Sequence, residues 1–148
     1  MFTGPKQGLA VLTLAAMPLA GCIVQQPPVA PQPIPANATR LVEKTAIGGQ
    51  TIRVDFAYQM NPDCTVRGIP SIVINQQPMH GTTKISDIDD FPSYPAQNSR
   101  SVCNKTRASG VALEYTPTNG YAGSDFLSYD AIFNDGVDRH VNVAMTVK

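Results

Sequence analysis

The chain has 148 residues, eleven basic and eleven acidic side chains and no formal net charge. Without a Lys/Arg cluster it lacks the basic face that nucleic-acid binding needs to neutralise phosphates, so that class is excluded. Its length, less the N-terminal segments described next, suits one small domain with a single core.

The opening MFTGPKQGLAVLTLAAMPLAGC places Lys6 ahead of an apolar run from Leu9 to Leu19, then small residues before Cys22. That order is a secretory signal peptide, and the run is too short to span a bilayer as a mature helix. Leu19-Ala20-Gly21-Cys22 resembles the lipobox of bacterial lipoproteins. The resemblance implies that residues 1–21 are a signal peptide and that Cys22 is acylated after cleavage. The alternative is an ordinary secretory signal that leaves a soluble periplasmic protein. Each buried CH₂ contributes about 0.8 kcal/mol, so a triacylated, palmitate-bearing cysteine holds the membrane firmly. Ile23 follows it, and the absence of Asp there resembles the outer-membrane sorting pattern of proteobacterial lipoproteins. The expected location is the bacterial cell envelope, lipid-anchored in the outer membrane.

Residues 22–37 carry Pro27, Pro28, Pro31, Pro33 and Pro35. Proline fixes φ and removes amide donors, so this stretch is expected to be an extended polyproline tether. At about 3.1 Å per residue it would hold the domain, residues 38–148, on the order of 40 Å from the membrane. With Cys22 assigned to lipid, Cys64 and Cys103 remain as a pair in an oxidising compartment. Their disulfide would close a loop of about 40 residues, worth roughly 4 kcal/mol by chain entropy. No C-x-x-C motif favours a redox-active pair instead.

Within the domain, Thr39 to Ile47 is a plausible first strand, ended by Gly48-Gly49. In Thr51 to Gln59, Ile52, Val54, Phe56 and Tyr58 alternate with Arg53, Asp55 and Ala57, so the first set is expected to face inward. Asn61-Pro62-Asp63 ends that strand. Ile69 to Gln76 reads as a strand with Pro70 at its start, where no ladder donor is needed. A turn at Gln77 to Gly81 leads to a short strand, Thr82 to Ile88. From Asp87 to Gly110 the pattern dissolves into a long loop, of the length that is either functional or irregular. Cys103 would pin its middle to the turn at Cys64. Val141, Val143, Met145 and Val147 form the inward face of a last strand from Val137. No sustained helical period is present, so short alternating strands argue for a β-sandwich.

The most organised stretch is LEYTPTNGYAGSDFLSYDAIFNDG, Leu113 to Gly136. Pro117 stops a strand, Asn119-Gly120 can take positive φ, Tyr121 folds over the corner, and Gly123 allows close passage. Asp125 is placed to accept hydrogen bonds from the turn's own amides. Leu127, Tyr129, Ala131 and Phe133 then share the inward face. With Gln77-Pro78-Met79-His80-Gly81 upstream, the residues Tyr115, Pro117, Gly120, Tyr121, Gly123, Asp125 and Tyr129 resemble a pattern of bacterial Ig-like and cadherin-like domains. The resemblance covers roughly residues 72 to 148 and implies an all-β, Ig-like sandwich of about seven antiparallel strands with one long disulfide-pinned loop. This chain departs from the family by its insertion between Gly81 and Tyr115 and by the cysteine pair.

Asp87, Asp89 and Asp90 are oxygen-rich, but the run lacks the spacing of an EF-hand loop and reads as a solvated acidic loop, with no metal or other cofactor expected. His80 and His140 are the only histidines. Neither has a metal-ligand neighbour at i+4 and no G-x-S-x-G motif exists, so no catalytic residues are assigned. The expected function is a non-catalytic envelope lipoprotein that presents its domain for protein or glycan binding. A purely structural or assembly-accessory component is the alternative. The expected contact surface is the long loop, with Asp87, Asp89, Asp90, Phe91, Tyr94 and Arg100, because function concentrates in loops on a rigid scaffold.

Overall fold

The computed structural model describes residues 39–148 continuously, together with Met1 and Gly4. The expected signal peptide, the lipid-bearing Cys22 and the proline-rich tether lie outside the described residues. Strands follow in the order β1 Arg40–Ala46, β2 Ile52–Met60, β3 Val66–Gly68, β4 Ser71–Gln76, β5 Gly81–Asp90, β6 Ala108–Pro117, β7 Gly123–Ile132 and β8 Asp138–Val147. A 3₁₀ helix, Ser99–Lys105, lies between β5 and β6. The strands build two four-stranded sheets, β1-β8-β7-β4 and β3-β2-β6-β5.

The architecture is an all-β sandwich, and the expected strand count and pairing are corrected. Among the described residues there are eight strands, and β1 runs parallel to β8. Parallel pairing requires a long crossover, which here is the rest of the domain between the two strands. β3 has three residues, too few to carry a readable alternation.

The core forms where the two inner faces meet. Leu113 and Tyr115 of β6 and Leu127 and Val143 of β7 and β8 are completely buried. Burying a side chain of the Leu or Val kind stabilises by roughly 1.5–3 kcal/mol. β7 and β8 follow the expected period of two: Leu127, Tyr129, Ala131 and Phe133 are buried, as are Val141, Val143, Met145 and Val147.

β2 does not keep its expected faces. Its register against β6 shifts between Arg53 and Asp55, so Val54 and Asp55 together stand opposite Leu113. A bulge of this kind moves every later side chain to the opposite face. Val54 is buried as expected, but beyond it Ala57 and Gln59 are buried with the core while Phe56 and Tyr58 are turned to the outer side. Those two rings lie 5.1 Å apart.

The long loop is also shorter than the sequence suggests. β5 and β6 pair without interruption from Gly81↔Pro117 to Asp90↔Ala108. Asp87, Asp89 and Asp90 are therefore strand residues, not loop residues. Acidic side chains on this edge strand obscure its pattern in the sequence, and charges of this kind are how exposed edges resist pairing with other chains. The excursion that remains is residues 91–107.

That excursion folds back onto the outer side of the β2–β6 sheet. Met60, Cys103 and Ala108 are buried there, with Tyr58, Cys64 and Tyr94 packed against them. The disulfide joins Cys64 to Cys103, with Cα atoms 5.2 Å apart. Cys64 has φ 66°, a conformation that costs a non-glycine residue about 1–2 kcal/mol. Its amide donates to the Asn61 carbonyl at 3.0 Å, and Asp63 accepts from the Thr65 amide and hydroxyl. The turn and the crosslink hold that conformation together.

Candidate functional site

The Leu113 to Gly136 stretch is a hub of hydrogen bonds centred on Asp125. Its carboxylate accepts from the Met79 and His80 amides, each at 2.9 Å, from the Phe126 amide at 2.9 Å and from the Tyr115 hydroxyl at 2.8 Å. The expected partners, amides of its own turn, are corrected: apart from Phe126, the amides belong to the crossover between β4 and β5. The signal for this lies in the two motifs together, since neither alone says that they meet. Burial pushes the Asp125 carboxyl up, but the four donors outweigh it and hold it below its ordinary value of 3.8. Tyr121 stacks on His80 with centroids 4.1 Å apart and donates to the Ser124 carbonyl at 2.7 Å. Gly123, at φ 148°, sits where an added Cβ would lie 2.8 Å from the Tyr121 hydroxyl. Gly120 has φ 76°, and Pro117 is paired with Gly81 at the strand end. Tyr129 is not part of this corner; its hydroxyl donates inside the sandwich to Asp55 at 2.7 Å.

The residues expected to form one contact surface are divided. Asp87 and Asp89 border a shallow depression of about 250 Å³ with Ile69 and Ser109. Asp90 pairs with Arg53 on the sheet. Phe91 lies beneath the Arg107 guanidinium, 5.1 Å from its ring centroid. Tyr94 and Arg100 alone of the six reach a cleft of about 720 Å³. Among the described residues no group of three or more His, Cys, Asp or Glu is placed to hold a metal ion.

The cleft exists because β3 pairs with β2 only at Gln59 and Met60. Among the described residues most of that β2 edge has no neighbouring strand, and side chains from both faces of β2 line the opening: Asp55 and Gln59 from one, Phe56 and Tyr58 from the other. Arg40 at the start of β1 and Phe133 and Arg139 on the β7–β8 hairpin form the opposite wall, and Tyr94 and Arg100 come from the excursion. Asn104 positions Tyr94 by a two-point clamp, accepting from its amide at 2.8 Å and donating to its carbonyl at 2.9 Å. Tyr58 meets Tyr94 edge-on at 5.1 Å, and the Arg100 Nε donates to the Met60 carbonyl at 2.7 Å.

Charge in the cleft is unequal. Arg40, Arg67, Arg100 and Arg139 line it against Asp55 and Asp135. Both carboxylates are occupied: Asp55 accepts from Tyr129 and from the Phe56 amide, and Asp135 accepts from the Gln59 Nε2 at 2.7 Å and faces Arg67 at 3.5 Å. Burial, then the Asp55 carboxylate, pushes the Tyr129 phenol far above its ordinary value, so it remains a donor. Arg139 lies over Phe133 at 4.5 Å. Gln59 Oε1 is buried and has no hydrogen-bond partner among the described residues. Arg40, Gln59, Asp135 and Arg139 were not legible as site residues, because the residues they meet are distant in sequence. On the opposite sheet His140 Nδ1 lies 2.6 Å from Asp130, with Asn75 at 3.4 Å.

No protein-family model and no curated protein matches this chain. Among solved structures, amebosin is similar over 76% of this chain and 98% of its own, at 12% identity and a TM-score of 0.43. A 2,6-sialyltransferase from a Photobacterium of the Vibrionaceae is similar over 76% of this chain and 18% of its own, at 13% identity and a TM-score of 0.31. Likenesses this distant carry no conclusion about function.

Proposed function

We propose that this chain is a non-catalytic lipoprotein of the bacterial envelope, anchored in the outer membrane through Cys22, whose Ig-like domain binds a protein or glycan. The observation that carries the binding reading is the cleft. The excursion adds Tyr94 and Arg100 to walls supplied by β1, β2 and the β7–β8 hairpin, giving a concavity of about 720 Å³. That volume falls within the range of about 300–1,000 Å³ typical of ligand sites.

Photocrosslinking in intact cells tests the reading. A photoreactive residue at Tyr94 is expected to give discrete adducts, whereas the same residue at Val73, exposed on β4, gives none. Equal labelling at the two positions would remove the cleft as the contact site. The anchor is tested separately: metabolic labelling with an alkyne fatty acid should mark the protein, and Cys22→Ala should abolish the label.

A further inference from the structure

We propose that the cleft takes an acidic polysaccharide chain, recognised by its uronate carboxylates. The inference rests on the binding reading above and narrows it to one chemical class. Four guanidinium groups line the opening in a chain of zero net charge, and the two carboxylates beside them already have internal partners. The Arg40 and Arg139 side chains make no hydrogen bond or ion pair among the described residues, although Arg139 lies over Phe133. The planar fork of arginine matches a carboxylate bidentately. Tyr94, braced edge-on against Tyr58, adds the aromatic surface that ligand walls commonly use.

Gln59 borders the cleft but offers a ligand no accessible polar partner. Its Nε2 is committed to Asp135, which fixes the amide orientation, and the buried Oε1 is left without a partner. The polar contacts open to a ligand are therefore chiefly those of the arginines. A polyhydroxylated ligand brings donors and carboxylates on one scaffold. An extended peptide adding to the free β2 edge fits less well, because the Phe56 amide is already capped by Asp55 Oδ1 at 2.8 Å. An added strand would need edge amides of that kind for its ladder.

The test uses the full chain purified in non-ionic detergent, titrated by calorimetry with oligogalacturonate, alginate and hyaluronate fragments. Each has a carboxyl-reduced counterpart of equal length as control, and hexaglutamate serves as a peptide of similar charge. At least one uronate oligomer should bind at least about tenfold more tightly than its reduced form, and added salt should weaken it. Arg40→Gln should weaken it by about tenfold, the loss of one charge-assisted contact. Arg139→Gln provides a second variant on a different strand, and unchanged thermal unfolding would show that either variant is folded. The proposal is overturned if no uronate oligomer binds at millimolar concentration, if the reduced forms bind equally, or if hexaglutamate binds as tightly. Any of those results, with cleft-specific crosslinking from Tyr94 intact, would leave the binding reading standing and remove only the ligand class; loss of the crosslinking contrast would remove both.

Discussion

The corner around Asp125 and the excursion over residues 91–107 are both irregular segments held in one shape, but by different means. In the corner a single buried carboxylate collects three amides and a hydroxyl, tying the β4–β5 crossover to β7. In the excursion the restraint is a disulfide, one asparagine clamp and a small satellite core of Met60, Cys103 and Ala108. The corner's bonds join elements of both sheets, so its loss should be felt throughout the domain. The excursion lies on one outer side, so its loss should be felt mainly in the cleft. Low local burial with few cross-links to the main core is what permits a segment to open by itself.

Asp125→Ala should break the first half of the comparison most severely. It leaves three amides without an acceptor and the Tyr115 hydroxyl with only the His80 carbonyl at 3.4 Å, and should destabilise the whole domain by roughly 3–5 kcal/mol in chemical denaturation. A loss below about 1 kcal/mol would show that the corner is not a structural hub. Replacing both cysteines by alanine should cost roughly 2–4 kcal/mol, because the crosslink spans 39 residues. The same variant should lose the Tyr94 crosslinks described above while keeping the far-ultraviolet signature of the sheets.

Asn104→Ala comes next, at roughly 1–2 kcal/mol, since it removes two hydrogen bonds to the Tyr94 backbone. Its readout is local: Tyr94 should become mobile by NMR while the resonances of β7 and β8 stay in place. The smallest effect is one of pH. Asp125 is held below its ordinary value of 3.8 when folded, so it binds fewer protons folded than unfolded. Its contribution is complete above that ordinary value and is lost as pH falls through the folded value. Asp125→Asn should therefore flatten the acid limb of the stability profile below about pH 4; an unchanged acid limb would contradict the assignment.

The parts legible in the sequence were those written in local pattern. β8 shows its alternation in Val141, Val143, Met145 and Val147, and each is buried. The pairing of Cys64 with Cys103 followed from counting and compartment. What local pattern could not reveal was decided at a distance. One inserted residue near Val54 sends Phe56 and Tyr58 outward, and nothing within β2 announces it. The hairpin between β5 and β6 continues to Asp90 because backbone pairing, not side-chain hydrophobicity, sustains an edge strand. The cleft is the extreme case, since Gln59 and Asp135 meet across 76 positions and Arg100 reaches back 40 to the Met60 carbonyl. Only the closed sandwich brings them together.

The central claim is that the excursion is a separately restrained lobe completing a cleft on an independent scaffold. Hydrogen exchange on the protein with and without the Cys64–Cys103 bond tests it most directly. The account predicts that amides of residues 91–107 lose far more protection on removal of the bond than those of β6, β7 and β8, whose loss is limited to the fall in global stability. Loss of protection spreading equally through β7 and β8 would contradict it.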